Sequence, residues 1–542
     1  MKIEGNLIDI YEKAIYPAEL VVTNGIIESI VRNNKQYDVF ICPPLIDAHV
    51  HIESSMLIPS EFARLAVGCG TVAVVSDPHE IANVCGADGV RFMIENGKQT
   101  PMKFFFTAPS CVPATSFETS GSQLLAADID RLFRTEELIA LGEMMNFPGV
   151  INGNREVLEK LAVATKHNKP IDGHIPGVVG EDLKTYISHG IYTDHECYSL
   201  EEAKAKISLG MKIMIREGSA AKNFAELYSL IDSHPEMVML CTDDSHPDDI
   251  IQLGHIDKII RMGLTKNLNL FNLLRAASLN PIKHYHLQVG CLQVGDAADF
   301  IIIDSPDNFN TLQNFIQGEP VYSYGRTLFA PSVATPINNF NLTQHLNTDE
   351  ISLVAPENAQ IRVIQAYDGS LITGEFSSSP RIENGFAVSD PLRDILKIVV
   401  INRYKKQKPS VGFINGFGLK QGAIASTIAH DSHNIIAIGT DDTSIVNAIN
   451  ELISHKGGIC CVNGIDFFTL ELPYAGLMSG KDGNIVSSDY KSLNAIVSSL
   501  GCTLSSPFMT LSFMALLVIP TLKIGDKGLF DITKYDFQKL FI

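Results

Sequence analysis

The chain has 542 residues, 45% of them hydrophobic and 19% charged, and its formal net charge at pH 7 is −19. This composition excludes an intrinsically disordered protein, and the length suits roughly three or four folded units. The acidic balance excludes a general nucleic-acid or polyanion binder, and it favours a small, neutral or cationic ligand.

Three sequence features predict a cytoplasmic protein with no membrane association. The N-terminal segment MKIEGNLIDIYEKA carries acidic residues where a secretory signal peptide needs an apolar core. The longest apolar stretch, which ends at Pro520, is too short to span a bilayer. The 10 cysteines include no CxxC pair, so we expect reduced thiols in a reducing compartment.

Two separated pieces of the chain have the pattern of β-structure. Residues 1–42 contain short extended segments divided by turn residues, and a similar pattern returns within residues 286–330. Because the first piece is too small to be stable alone, we predict one small β-sandwich domain that a long insertion interrupts.

The insertion, residues 43–285, alternates short apolar runs with amphipathic helical stretches. The runs are PPLIDAHV, TVAVVSDP, KFFFTAP, LIALGEM, KPIDGHI, GIYTDHE, KIMIREG and MVMLCTDD. Continuous apolar runs are typical of parallel strands buried on both faces, and eight of them predict an α/β fold, a (β/α)8 TIM-like barrel. An open, doubly wound sheet is the alternative. In a barrel, side chains at the carboxyl ends of the strands carry the chemistry.

The rest of the chain differs in composition from the barrel region. Residues 331–350 are rich in Pro, Asn and Thr and read as a linker. Residues 350–542 combine strand-like runs such as LKIVVIN with helical stretches such as TSIVNAINELISHKG. We therefore predict a C-terminal α+β domain.

The strongest local signal is the pair His49 and His51 at the end of the first apolar run. On a strand, residues i and i+2 point to the same face, so both imidazoles can bind one ion. Further nitrogen and oxygen ligands end later runs: Glu143, His174, His195 and Asp243. Each alone also fits an ordinary structural role, but together they predict two divalent ions bridged by Glu143 and a hydroxide. With no cysteine at these ends, Mn or Fe is favoured, with Zn as an alternative.

Several longer motifs are more specific than the HxH pair. They are PPLIDAHVHIESSM, SDPHEIANV, GEMMN, DGHIPG, TDHE, REGSA, CTDD, IAHDSHNIIAIG and LPYAGLMSG. The set resembles the amidohydrolase superfamily and, within it, the bacterial adenine deaminase family, over nearly the whole chain. The resemblance implies hydrolytic deamination of adenine to hypoxanthine and ammonia by a metal-activated hydroxide, in purine salvage.

The resemblance also implies roles for the candidate ligands. His49 and His51 would hold one metal with Asp243, and His174 and His195 would hold the second. Glu143 would bridge the two ions where many relatives use a carboxylated lysine. Asp243 would accept the proton of the attacking water and help to pass it to the leaving amine.

Four further residues are candidates for contacting the substrate: Glu217, Arg216, Ser219 and His79. Glu217 is the candidate catalytic partner of a purine ring nitrogen, and an ion pair with Arg216 is its alternative role. His79 is expected to line the pocket or to serve a further metal position.

Some polar residues near the predicted strand ends and in the third region stay undecided. His246 suits a proton shuttle at the barrel mouth, and Asp248 suits either that role or a helix cap. The cluster His430, Asp431 and His433 suits either a reach into the pocket or a local turn network.

Two other functions stay open at this point. A cyclic-amide hydrolase on the same barrel would be favoured if Lys160 rather than Glu143 bridged the metals. A barrel without metals, acting as a binding module, predicts missing ligands, whereas all six are present. No GxGxxG or GxxxxGK[ST] motif follows a predicted strand, so no nucleotide cofactor is expected. The expected partners are adenine and a second copy of the chain, as a homodimer.

Overall fold

The first four strands belong to a sheet that later parts of the chain complete. They are β1 (Lys2–Asp9), β2 (Ala14–Thr23), β3 (Ile26–Arg32) and β4 (Phe40–Cys42). The computed structural model describes residues 1–219 and 221–542, so the last residue of the REGSA motif lies outside the described residues.

The next strands form a closed ring of parallel strands. They are β5 (Leu45–His51), β6 (Thr71–Ser76), β7 (Lys103–Phe106), β8 (Leu141–Met144), β9 (Ile171–Gly173), β10 (Thr193–Asp194), β11 (Lys212–Arg216), β12 (Val238–Cys241) and β13 (Asp243–Asp244). Strands β12 and β13 occupy one position in the ring, interrupted at Thr242.

Hydrogen bonding closes this ring. Parallel ladders join β5 to β6 and β7, β8 to β9, and β10 to β11 and β12. Single parallel bridges, Ala108 with Leu141 and Ile171 with Ile191, join these groups. The last strand returns to the first, where Asp243 lies opposite Val50. The predicted TIM-like barrel is confirmed, and an open sheet is excluded.

Helices of varied length connect the barrel strands: α1 (Pro59–Ala66), α2 (His79–Gly97), α3 (Ala126–Thr135), α4 (Phe147–Ile151), α5 (Arg155–Lys166), α6 (Gly180–Ser188), α7 (Leu200–Ser208), α8 (Phe224–Leu227), α9 (Leu230–Ser233), α10 (Pro247–Leu253), α11 (Ile256–Thr265), α12 (Leu270–Leu274) and α13 (Asn280–Tyr285). Polar caps start several of them; the side chain of Ser199, for example, accepts a hydrogen bond from the N–H of Glu202 at the start of α7.

After the barrel the chain returns to the first sheet. Strands β14 (Phe300–Ile303), β15 (Thr311–Ile316), β16 (Glu319–Ser323) and β17 (Arg326–Thr327) follow. Because β14 pairs with β4, both pieces share one eight-stranded sheet in the order β17-β16-β15-β14-β4-β1-β2-β3. The barrel is therefore an insertion between two halves of this sheet.

The C-terminal region is a mixed α+β structure, as predicted. Its strands are β18 (Ile361–Gln365), β19 (Gly374–Ser378), β20 (Arg381–Glu383), β21 (Phe386–Val388), β22 (Leu396–Ile401), β23 (Ser410–Asn415), β24 (Ala423–Ser426), β25 (Ile435–Gly439), β26 (Gly458–Asn463), β27 (Asp466–Glu471), β28 (Leu522–Gly525), β29 (Gly528–Asp531) and β30 (Asp536–Gln538). Its helices are α14 (Asp442–His455), α15 (Gly483–Ser499) and α16 (Pro507–Phe513). Eight of the strands form one sheet, β19-β18-β23-β22-β25-β24-β26-β27.

The C-terminal region packs against the barrel beside the end of β5. The backbone N–H of Ile58 donates to Ser479 O at 3.1 Å, and that of Ser479 donates to Met56 O at 2.8 Å. Helix α15 packs against α10, which follows the last barrel strand. Within residues 1–219 and 221–542, no helix has the length and apolar character needed to cross a bilayer.

Candidate metal centre and substrate cavity

Strand β5 brings His49 and His51 to the carboxyl end of the barrel, where both are buried. The Nδ1 atom of His51 lies 3.0 Å from the carbonyl oxygen of Asp77, which can accept its proton. That bond leaves the lone pair of Nε2 free, as a metal-bound histidine requires. Nε2 faces Oε1 of Glu143 at 3.1 Å and Oδ1 of Asp243 at 3.0 Å.

Glu143, near the end of β8, lies between two sets of imidazoles. Its Oε1 faces His51, and its Oε2 lies 2.7 Å from His174 Nδ1 and 3.3 Å from His195 Nε2. Burial alone would raise the pKa of this carboxyl, but the histidine contacts outweigh burial and hold the pKa well below its usual range. A charged carboxylate with one oxygen toward each set has the arrangement of a bridging ligand.

Asp243, in β13, faces the same group from the opposite side of the ring. Its Oδ2 accepts a hydrogen bond from Arg216 at 2.5 Å. Burial opposes ionisation, but the guanidinium of Arg216 and the nearby imidazoles hold the pKa of Asp243 well below its usual range. The buried carboxylate of Asp47 accepts from Thr242 Oγ1 at 2.5 Å and from the N–H of His49 at 3.2 Å, so it ties β5 to the last strand.

The donor set fits divalent metal ions. Three overlapping groups bring ligand atoms within 4.8 Å of one another: His49, His51 and Glu143; His49, His195 and Asp243; Glu143, His174 and His195. The buried Nε2 atom of His49 has no hydrogen-bond partner among the described residues, which is costly unless a ligand satisfies it. Imidazole and carboxylate donors without a thiolate suit Mn, Fe or Zn.

His79, at the start of α2, lies beside this group. Its ring centroid is 4.5 Å from that of His51, and its Nδ1 is 3.6 Å from both Asp77 Oδ2 and Glu143 Oε1. The structure therefore brings His79 next to the six predicted metal ligands.

Glu196 is a functional candidate that the sequence analysis missed. Both of its carboxylate oxygens accept hydrogen bonds from Arg216, one of them at 3.1 Å. Its Oε1 is also 3.4 Å from His195 Nε2 and 3.8 Å from His174 Nδ1. Two features of the sequence could have indicated Glu196. A buried arginine such as Arg216 needs carboxylate partners, and Glu196 directly follows His195, a histidine at the end of a strand.

Among the residues that the structure describes, Glu217 belongs to none of the three ligand groups, and its predicted catalytic role stays a prediction. Strand β11 ends at Arg216, which donates to Asp243, and Glu217 follows it in an isolated antiparallel bridge with Lys222. Burial raises the pKa of the Glu217 carboxyl, against the opposing charges of Lys258 and Lys222. Within the described residues it makes no ion pair with Arg216, whose partners are Glu196 and Asp243, so this alternative role has no support.

Arg216 and Ser219 both bind protein groups, although the buried Nε of Arg216 has no hydrogen-bond partner among the described residues. Arg216 binds the carboxylates of Glu196 and Asp243. Ser219 Oγ donates to Asp249 at 2.5 Å and accepts from the N–H of His246 at 2.9 Å. Neither residue lines the pocket described next, and their predicted contacts with the substrate stay a prediction.

Lys160, which an alternative function would place between the metals, lies elsewhere. It is buried on α5, where its Nζ donates to the carbonyl of Ser110 at 2.9 Å.

A pocket with about 400 Å³ of empty space, partly open to solvent, lies between the barrel and the C-terminal region. From the barrel side it is lined by Ser54, Met56, Asp244 and His246, and from the C-terminal side by Ser426, Ile428, His430, Ile459, Tyr490, Phe508, Met509, Ser512 and Phe513. Ser54 follows His51 closely in sequence, and Asp244 follows Asp243 directly. A mostly apolar cavity with a few polar groups is typical of a site for a small molecule.

Comparison with known proteins agrees with this architecture. Residues 40–321 match the amidohydrolase family, and residues 370–536 match the adenine deaminase C-terminal domain. The chain is 54% identical to an adenine deaminase of Methanosarcina acetivorans, over 99% of each chain. It is 49% and 47% identical to adenine deaminases of a Sulfurovum species and of Borreliella burgdorferi, again over 99% of each chain. The predicted resemblance is confirmed: the chain belongs to the adenine deaminase family of metal-dependent amidohydrolases.

Proposed function

We propose that this protein hydrolyses adenine to hypoxanthine and ammonia, with water as the second substrate. The observation that carries the proposal is the end-to-end similarity to proteins named adenine deaminase, with 99% of both chains covered at 54% identity. The group of six candidate ligands and the pocket between the two regions support the proposal.

We propose that two divalent cations, Mn or Fe in preference to Zn, bind to His49, His51, Glu143, His174, His195 and Asp243. When bound, such ions lower the pKa of water toward neutrality and act as Lewis acids on the substrate. The charged state of Glu143 and Asp243 supports this assignment, because metal ligands must be deprotonated.

Asp243 is the proposed proton carrier. Arg216 holds its Oδ2 at 2.5 Å, so Oδ1 is the oxygen turned toward His51 and the reacting water. From there Oδ1 can take a proton from the attacking water and return it to the departing amine. Arg216 and Glu196 act through Asp243 and the neighbouring histidines, as positioning residues.

The alternative functions have less support. A cyclic-amide hydrolase with a bridging lysine is not favoured, because Lys160 is engaged by Ser110 O on another element. A metal-free binding module would not need six mutually adjacent ligands.

We also propose that the protein is a cytoplasmic homodimer. Free thiols at all 10 cysteines support a reducing compartment. Analytical ultracentrifugation, which measures the mass of the assembly in solution, tests the dimer.

The test is an assay of the purified protein after reconstitution with Mn, and in parallel with Fe and Zn. Adenine is added, and ammonia and hypoxanthine are followed with and without a chelator. We expect both products in equal amounts, chelator-sensitive, with about two metal ions per chain. Fully loaded protein that leaves adenine unchanged would contradict the proposed substrate.

A further inference from the structure

The C-terminal region contributes one imidazole to the cavity wall. His430, between β24 and β25, lines the cavity together with Phe513 and Ser512. Its ring stacks on Phe513, with centroids 4.5 Å apart and planes 16° apart. This stacking fixes the plane in which the two ring nitrogens lie.

Glu80, on barrel helix α2, fixes which of these nitrogens faces the cavity. The Nδ1 atom of His430 lies 2.7 Å from Oε1 of Glu80, a hydrogen bond between residues 350 positions apart. With Nδ1 engaged, Nε2 is left for the cavity, and it has no hydrogen-bond partner in the described parts of the chain. A carboxylate that orients an imidazole toward a substrate is a common device in enzymes.

Glu80 is itself held by a second histidine. The Nε2 atom of His433 hydrogen-bonds to Oε2 of Glu80, and Nδ1 of His433 accepts from the N–H of Ala429 at 3.3 Å. Because Nδ1 accepts, the proton is on Nε2, so His433 donates to Glu80. A protonated Nε2 has no lone pair for a metal ion. We therefore interpret Glu80, His430 and His433 as a hydrogen-bonded cluster and not as a third metal site.

The charges around His430 make its free nitrogen a donor. Burial alone would lower the pKa of this imidazole, but Glu80 outweighs burial and raises the pKa to about 9. Asp244 and Asp431 act in the same direction. An imidazole protonated on both nitrogens presents an N–H to the cavity.

We propose that His430 is a substrate-binding residue, which donates a hydrogen bond from Nε2 to an acceptor nitrogen of the purine ring, with Glu80 as its positioning residue. The C-terminal region thereby supplies part of the recognition site for a base bound against the barrel. This inference rests on the proposed function, because it takes adenine as the substrate.

The first experiment compares KM and kcat for His430→Ala, His430→Gln and Glu80→Gln. For His430→Ala we expect KM for adenine to rise about 10- to 100-fold, the loss of a hydrogen bond from a charged donor, with kcat within about threefold. His430→Gln keeps an N–H donor and should recover part of the loss. Glu80→Gln should raise KM in the same direction by less, because the imidazole loses its charged partner.

The second experiment removes the acceptor from the ligand. Inhibition constants of 1-, 3- and 7-deazaadenine are measured with the parent enzyme and with His430→Ala. One of the three should bind the parent enzyme at least about tenfold more weakly than adenine. That penalty should disappear in His430→Ala, because the hydrogen bond is already gone.

His455→Ala serves as the matched control, because this histidine lies on α14 and pairs with Glu451 outside the cavity. Metal content is measured in every variant, and each variant should match the parent. Unchanged KM in His430→Ala, or deaza penalties equal in parent and variant, would overturn the role of His430 alone. A metal-loaded parent enzyme that neither binds nor deaminates adenine would instead overturn the proposed function.

Discussion

At the scale of single residues, the centre depends on one carboxylate in contact with imidazoles from three strands. Glu143 Oε1 faces His51 on β5, while Oε2 faces His174 and His195, which follow β9 and β10. A neutral amide at this position could not bridge two cations, and its NH2 group would face imidazole nitrogens.

We therefore predict that Glu143→Gln loses most of its bound metal and at least about 10³-fold in turnover. Metal content is measured by plasma mass spectrometry and activity by ammonia release. The control is Glu137→Gln, since Glu137 is exposed in the loop before β8. Full metal occupancy in Glu143→Gln would show that this carboxylate is not a ligand.

A matched pair of buried glutamates tests the assignment of Glu196. Glu196 contacts Arg216 and lies within 4 Å of two predicted ligands, whereas the backbone carbonyl of Glu217 accepts a hydrogen bond from Lys258. Loss of such a supporting contact commonly costs 10- to 100-fold in activity or metal affinity.

For Glu196→Gln we predict a fall of about 10- to 100-fold in kcat/KM or metal affinity, because Arg216 loses a charged partner and Asp243 its fixed orientation. Glu217→Gln should stay within about threefold of the parent. Steady-state kinetics with metal titration separates the two variants. A larger loss in Glu217→Gln than in Glu196→Gln would reverse this assignment.

At the scale of elements, the barrel and six of its candidate ligands could be predicted from the sequence. The reason is that the candidate ligands lie at the ends of the same apolar runs that form the barrel strands. Each continuous apolar run gave a strand, and the polar residue that closed it came to the barrel mouth. His49 and His51 needed only the alternation of a strand to share a face. Such features depend on residues close together in the sequence.

The remaining features of the site depend on contacts between distant elements. Glu80 and His430 are 350 residues apart, and only the docking of the C-terminal region brings them together. The side on which Glu217 lies depends on where β11 ends, because one residue of difference reverses the side of a carboxylate. Sequence pattern does not fix a strand end that closely.

Strand β28 carries a buried lysine that makes stability depend on pH. Lys523 Nζ donates to Leu371 O at 2.7 Å and to Phe513 O at 3.0 Å. Burial lowers its pKa from the usual 10.5 to about 7. Between these values the unfolded chain binds a proton that the folded chain does not, so the free energy of unfolding rises with pH.

We predict that this rise amounts to a few kcal/mol between about pH 7 and pH 10 and is absent in Lys523→Met. Thermal unfolding midpoints across that range, for the parent, Lys523→Met and the exposed control Lys539→Met, measure it. Parallel pH profiles of the parent and Lys523→Met would contradict a depressed pKa.

At the scale of the whole molecule, the cavity exists only because two parts of the chain meet. Its barrel wall includes Ser54 and Asp244, which are close in sequence to predicted metal ligands, and its other wall comes from β24, β26, α15, α16 and the segment after β24. The chain contains no tryptophan, so a single introduced indole can report on this interface without background.

We predict that Met509→Trp, on the half-buried lining of α16, raises KM for adenine at least about tenfold by narrowing the cavity, with metal content unchanged. Adenine should also change the fluorescence of the introduced indole. In the control Ile465→Trp, at a position 92% exposed between β26 and β27, adenine should change neither KM nor fluorescence. If Met509→Trp and Ile465→Trp behave alike, adenine binds elsewhere, because an indole on the pocket lining would disturb a purine bound against it.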